Sequence, residues 1–396
     1  MKITGLRFRE VRGPLAFEGV FWEERLVWPI DVYPDQRSRG TERLERLNER
    51  EYLVTALFLE VQTDGPLTGL AGPISTDQAY MIERLLSPVM IGEDPLAIER
   101  VWDRMYRLAI HGRKGVVMQA ISAVDCALWD LKGKWAVAPV YRLLGGPLRS
   151  EIPAYASALG YSIEPAAAAM RARELIAQGY WATKWFFRYG PGSGREGMQA
   201  NIALAEALRE AVGPQVDLML DAWNSWDVPY TVAISGALAA VQPRWLEEPV
   251  PPDRIASYAE LRRRLPFPIA GGEHEYTRWG LKQLMDAGAA DVLQPDIYWA
   301  GGISEMLKIC ALASTYDVQV IPHGHSTPAT AHLLFAQPPQ LCPYIEYLVK
   351  WNAIHQNFFR QPIQPVNGVV IPPDQPGLGI ELDETKIASS RDLHFA

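Results

Sequence analysis

Five short runs decide the fold of this chain: VDLMLDA (216–222), RWLEEP (244–249), FPIAGGE (267–273), DVLQPD (291–296) and VQVIPHG (318–324). Each is a brief apolar stretch that stops at an acid or a histidine. Working outward, IPAYAS (152–157) and WATKWFF (181–187) precede the block and YIEYL (344–348) follows it. Segments with helical apolar spacing lie between the runs, among them PAAAAMRARELIAQ (165–178) and MQANIALAEALREAV (198–212). Strands that alternate with helices specify a parallel sheet. Eight of them predict an α/β fold, a (β/α)8 barrel over residues 149–356. An open doubly wound sheet would suit similar runs, but no glycine-rich phosphate loop follows the first strand.

The first third reads differently. Met1 to about Gly13 and Tyr52–Thr63 (YLVTALFLEVQT) look like strands, the second closed by Asp64-Gly65. Between them FWEERLVWPIDVYPDQRSRGTERLERLNER (21–50) mixes Trp, Pro and many charges with little core pattern, which marks a functional or disordered segment. Helical patterns follow over Thr76 to about His111 and Val116–Leu144, the latter stopped by Gly145-Gly146. Residues 1–148 are thus expected to form an α+β N-terminal capping domain. The proline-rich tail, 357–396, is expected to return and complete it.

The 396 residues carry a net charge of −8, with both signs interspersed, so nothing marks a nucleic-acid or anionic-membrane surface. Cys126, Cys310 and Cys342 are too few and scattered for a disulfide framework or a thiolate metal site. No apolar stretch approaches the roughly 20 residues that cross a bilayer, and no signal peptide is read. A cytoplasmic protein is expected.

Barrel chemistry sits at the C-terminal ends of the strands. In order, those ends carry Lys184, Asp221, Glu247, Glu273, Asp296, His323 and Glu346. Buried charge is costly unless it meets a ligand or an opposite charge. Asp221, Glu247 and Glu273 recur at intervals of 26 residues on consecutive strands, which lie about 4.8 Å apart. Three converging carboxylates suit Mg²⁺, one ion per subunit. Any one of them alone would equally cap a helix or pair with an arginine. Glu248 is expected on the opposite strand face by alternation. Asp296 beside His323 would fix the imidazole tautomer and raise its basicity, making His323 a general base. His325 shares that face but lies further into the loop, where contact with substrate hydroxyls is expected. His274 follows the third carboxylate and reaches the same cavity. Glu346 either meets a substrate carboxylate or pairs with Lys350.

With these positions in view, the sequence resembles the enolase superfamily, in its mandelate racemase subgroup, and looks most like the L-rhamnonate dehydratases. The resemblance rests on ALWDLKGKWAVAPVYRLLGG (127–146), LMLDAWNS (218–225), WLEEPVPP (245–252), GGEHEYT (271–277), LQPDIYWAGG (293–302) and VIPHG (320–324). It implies an enolase-type barrel and a small-molecule sugar acid as substrate, an aldonate or aldarate. It implies Asp221, Glu247 and Glu273 as Mg²⁺ ligands, with Asp296 and His323 as a catalytic dyad. Glu346, Lys184 and the His274 of the Gly-Glu-His motif are then catalytic too. It also implies a homo-oligomer. Racemases of the subgroup carry Lys-x-Lys on the second strand; here Lys184-Trp185-Phe186 lacks the second lysine, which disfavours an epimerase, racemase or cycloisomerase. In the cap, Phe21-Trp22 stands where the dehydratases have His-Trp, and the loop is longer; Trp22 and Arg46 align with substrate-binding positions. The implied reaction removes the C2 proton and the 3-hydroxyl to give a 2-keto-3-deoxy acid. A non-catalytic barrel is disfavoured because every metal and dyad position is occupied.

Overall fold

The computed structural model describes residues 1–38, 40 and 44–395. In chain order its strands are β1 (Ile3–Ala16), β2 (Glu45–Asn48), β3 (Glu51–Thr63), β4 (Thr68–Ile74), β5 (Ile152–Ser157), β6 (Ala182–Phe186) and β7 (Asp217–Asp221). They continue as β8 (Trp245–Glu247), β9 (Ile269–Gly271), β10 (Val292–Leu293), β11 (Gln319–Val320), β12 (Ile345–Leu348), β13 (Val369–Val370) and β14 (Ser389–Leu393).

All eight expected barrel runs form strands. They pair in parallel in the order β11-β10-β9-β8-β7-β6-β5-β12, with a helix before each new strand. The sheet curls until its ends meet, where the Val320 amide donates to the Leu341 carbonyl at 2.8 Å. Its interior is a single cluster of Tyr155, Ala182, Met219, Trp245, Ala270, Val292, Ile321 and Tyr344. Every strand or its immediate flank supplies one member, as a closed, filled barrel requires.

The cap is an antiparallel sheet ordered β14-β1-β3-β2, with β4 also on β3. The C-terminal β14 pairs with β1 (Phe8 opposite Leu393), so the tail does return to the first sheet. Nothing in the TGLAGPI run of β4 announces a strand, because it carries Gly69, Gly72 and Pro73. Gly69 is required by packing: a Cβ there would stand 2.2 Å from the Ala127 carbonyl oxygen of the helix Val116–Trp135. The expected helix 76–111 is broken instead. Helices Thr76–Met81, Ser87–Met90 and Ile98–Leu108 flank a π-turn and a loop in which Gly92 has φ +86°. The next pattern ends at Trp135, restarts at Val140 and breaks where Val137 takes φ +51° ahead of Pro139.

Within the charged segment 21–50, residues 39 and 41–43 lie outside the described residues. The rest is a strap laid over the barrel mouth. The Glu23 amide donates to Gly160 O (2.8 Å), the Val27 amide to Phe187 O (2.7 Å) and the Ser225 hydroxyl to Val27 O (3.1 Å). Lys350 donates to Glu23 (2.7 Å) and Gly160 O (2.9 Å), not to Glu346. Gly160 has φ +81°, and a Cβ there would strike the Trp22 ring at 1.9 Å, so this glycine seats the indole over the mouth.

Candidate active site

The polar strand ends converge and are almost fully enclosed: Lys184, Asp221 and Glu247 are 1% exposed, Glu273 4%, and Asp296 and Glu346 0%. The Lys184 ammonium, midway along β6, lies 2.5 Å from Glu247 Oε1, 2.8 Å from Glu346 Oε1 and 3.2 Å from Asp221 Oδ2. It thereby spans strands β6, β7, β8 and β12. Burial disfavours the ammonium, but Glu247, Glu346 and Asp221 outweigh burial and hold it charged, well above its ordinary range. Burial, with Glu247 as a like-charged neighbour, pushes the Asp221 carboxyl well up despite Lys184. Glu346 goes the other way: burial is overcome by Lys184 and His323.

Glu248 corrects the alternation argument. It lies one residue beyond β8 with φ +40°, so the chain has left the pleat that alternation assumes. Its carboxylate Oε2 accepts from Asn224 Nδ2 at 2.6 Å and meets His274 Nδ1 at 2.8 Å. Glu248, Glu273 and His274 each offer a ligand atom within 4.8 Å of the others. Of the expected trio, Asp221 and Glu247 lie on Lys184, and Glu273 stands beside Glu248 and His274. Asn224, itself at φ +61° in the AWNS run, was missed from sequence.

Six buried carboxylates thus face one ammonium and two imidazoles, and Glu248 Oε1 is buried with no partner. Among the described residues no arginine pairs with Asp221, Glu247 or Glu273. A crowded, oxygen-rich donor set short of positive charge fits a hard dication.

Two imidazoles flank Glu273. His323 Nδ1 lies 2.7 Å from Asp296 Oδ2; a carboxylate only accepts, so Nδ1 carries the proton. Asp296 is itself held by the Tyr298 amide at 2.7 Å. The other nitrogens, His323 Nε2 and His274 Nε2, stand 3.6 and 3.7 Å from Glu273 Oε1. Burial lowers both imidazoles, yet the acids prevail: Glu273 and Asp296 lift His323 to about 10, and Glu248 and Glu273 lift His274 to about 10. Burial takes Glu273 up to about 7 against the pull of both histidines. The Gly324 amide donates to Glu346 Oε2 at 2.8 Å, and a Cβ there would meet Glu346 Cγ at 2.8 Å, which explains the glycine of Pro-His-Gly.

Phe186 is 7% exposed at the end of β6, its ring 5.2 Å from the Lys184 ammonium. The Trp299 ring lies 5.5 Å from each of the two imidazoles. Trp22 and His325 line a cavity of about 520 Å³ at the junction of cap and barrel, with Trp299. Arg46 is not brought there. It is exposed on β2 and donates to the Asn48 and Glu49 carbonyls at 3.0 Å each.

Comparison with known proteins agrees with this architecture. Residues 167–386 match the family model of the enolase C-terminal domain-like fold. Residues 51–145 match that of the mandelate racemase/muconate lactonizing enzyme N-terminal domain. The chain is 34% identical to an L-rhamnonate dehydratase of Saccharopolyspora erythraea, over 97% of each chain. Among solved structures it resembles rhamnonate dehydratase from Gibberella zeae complexed with Mg, with 27% identity, a TM-score of 0.81 and coverage of 98% and 96% of the two chains. It also resembles a racemase from Streptomyces coelicolor A3(2) with bound magnesium, at 28% identity and a TM-score of 0.79, over 97% and 98%. With both of its domain models matched, and in this order along one chain, the protein belongs to the mandelate racemase/muconate lactonizing enzyme family of the enolase superfamily.

Proposed function

We propose that the protein is a Mg²⁺-dependent dehydratase of a sugar acid, converting a 2,3-dihydroxy acid into a 2-keto-3-deoxy acid. The observation that carries this reading is the asymmetry of the site. The site holds the Asp296–His323 dyad, while a buried Phe186 ends β6, the position that carries a second lysine in the racemases that the sequence resembles. Asp221, Glu247 and Glu273 would hold the ion, with Glu248 beside them. Bound there, Mg²⁺ supplies positive charge to the substrate carboxylate as negative charge develops on it. With the acids around the two imidazoles offset in this way, His323 Nε2 would be free to act as a base.

His323, oriented by Asp296, takes the C2 proton at Nε2. The Lys184 ammonium stabilises the same oxygens electrostatically. Glu346, which accepts from the Gly324 amide, shapes the β12 wall beside the substrate carboxylate. The 3-hydroxyl leaves as water after receiving a proton from His274, whose Nδ1 is anchored on Glu248, or from protonated His323. The resulting enol tautomerises to the keto acid. Trp22 and His325 contact the remainder of the substrate. The likeness to rhamnonate dehydratases supports an aldonate of that kind. The cytoplasm suits this reading: all three cysteines are buried free thiols, and no described helix is long and apolar enough to cross a membrane.

The test is a screen of the purified protein with Mg²⁺ against aldonates and aldarates, detecting 2-keto acid. Keto-acid formation from at least one aldonate is expected. Epimerisation of an accepted acid without keto-acid formation would overturn the proposal in favour of the racemase reading.

A further inference from the structure

The exit of β12 leads into helix Val349–His355, whose last residue no sequence pattern singled out. The His355 ring lies 4.7 Å from His325 in an edge-on arrangement and 4.4 Å from Trp351. His325 in turn lies 5.8 Å from Trp299, the indole that also touches His323. These rings form a continuous path from the dyad outward, and Trp22, Trp299, Trp351, His325 and His355 all line the cavity of about 520 Å³. Burial leaves both imidazoles uncharged, taking each down to about 3. A neutral imidazole offers one donor and one acceptor, the same pair that a hydroxyl group needs. His325 Nδ1 is buried with no partner in the protein, and such an atom is costly unless something satisfies it. A cavity walled by indoles and edged by neutral imidazoles suits a sugar chain, with C–H faces on the rings and hydroxyls on the nitrogens.

We propose that His355, paired with His325, is a specificity-determining residue that hydrogen-bonds a substrate hydroxyl beyond C3. This rests on the sugar-acid reading of the same site. It assigns selection of the substrate's distal configuration to a residue outside the metal and proton-transfer machinery.

The experiment compares wild type, His355→Phe and His355→Asn on the six-carbon aldonate turned over fastest in the screen and on glycerate, which ends at C3. On the six-carbon acid, His355→Phe is expected to raise KM roughly 10-fold with a smaller loss of kcat, as loss of one hydrogen bond from an enclosed site does. Its loss in kcat/KM or in C2 exchange on glycerate should be several-fold smaller. His355→Asn keeps a donor and an acceptor and should recover part of the loss. Equal losses on both acids, or no change on either, would overturn the proposal. If no acid reacts, the dehydratase reading fails, and tryptophan quenching by L-rhamnonate decides the subsite separately. Weaker quenching in His355→Phe than in wild type keeps it; identical curves, flat or not, overturn it.

Discussion

Two regions of the barrel mouth hold the same chemical pair in different states. On the β10–β11 side, Asp296 and His323 meet at 2.7 Å, and the free carboxylate oxygen is taken by the Tyr298 amide. On the β8–β9 side, Glu248 and His274 meet at 2.8 Å, yet Glu248 Oε1 has no partner and the His274 side chain is 25% exposed against 13% for His323. Both imidazoles point their second nitrogen at one oxygen of Glu273. The first pair is fixed on every side, as a base that must meet one proton requires. The second keeps an unsatisfied oxygen and an open edge, which suits a group that serves a departing hydroxyl.

The largest effect separates the pairs directly. His323→Asn should lower kcat by about 10²–10⁴-fold or more while leaving Mg²⁺ binding intact. Asp296→Asn should be nearly as severe because it upsets the tautomer and weakens the base. Retained turnover in His323→Asn with a dead His325→Asn would relocate the dyad. A smaller loss is expected for His274→Asn: keto-acid formation falls about 10²-fold while C2 exchange in D₂O persists. If exchange disappears too, the two imidazoles do not divide the work in this way.

The contrast was only half legible in the sequence. Asp296 and His323 end ordinary strand runs, so position along the run located them. Glu248 was misplaced because one residue at φ +40° cancels the alternation of a three-residue strand, and nothing local in Glu-Glu-Pro announces the turn. The gathering of Asp221, Glu247 and Glu346 on Lys184 was invisible for another reason: it depends on where one long side chain lies across four strands. In the cap, β4 was hidden by its glycines, of which Gly69 is there for close approach to a helix. The strap was hidden because its bonds are main-chain contacts with barrel loops far away in sequence.

Beyond the pairs, His325→Asn should raise KM by roughly 10-fold with little loss of kcat, since it lies outside the proton path. A loss confined to kcat would place it in the chemistry. Metal linkage provides the smallest but cleanest effect. Glu273, held up to about 7, costs stability as pH rises from about 4.5 through 7, and Asp221, raised as well, acts in the same direction. His274 and His323, raised to about 10, contribute stability that is complete below about 6.5 and lost as pH climbs through 10. The uncharged imidazoles of His325 and His355 add stability as pH rises only up to about 6.5, so above pH 7 the His274 and His323 losses stand alone and the metal-free protein should melt at lower temperature at pH 9 than at pH 7. Mg²⁺ needs ionised ligands, and the rise in Tm on adding it should grow over the same interval. A gain independent of pH would mean that Mg²⁺ binds elsewhere.

In the proposed reaction a single base, His323, acts on one face of the α-carbon, with Phe186 at the strand position of a second base. This is tested most directly by following C2 proton exchange in D₂O on both C2 epimers of an accepted acid. Exchange and elimination are expected from one configuration only, with no exchange from the other. Equal exchange from both epimers would contradict it.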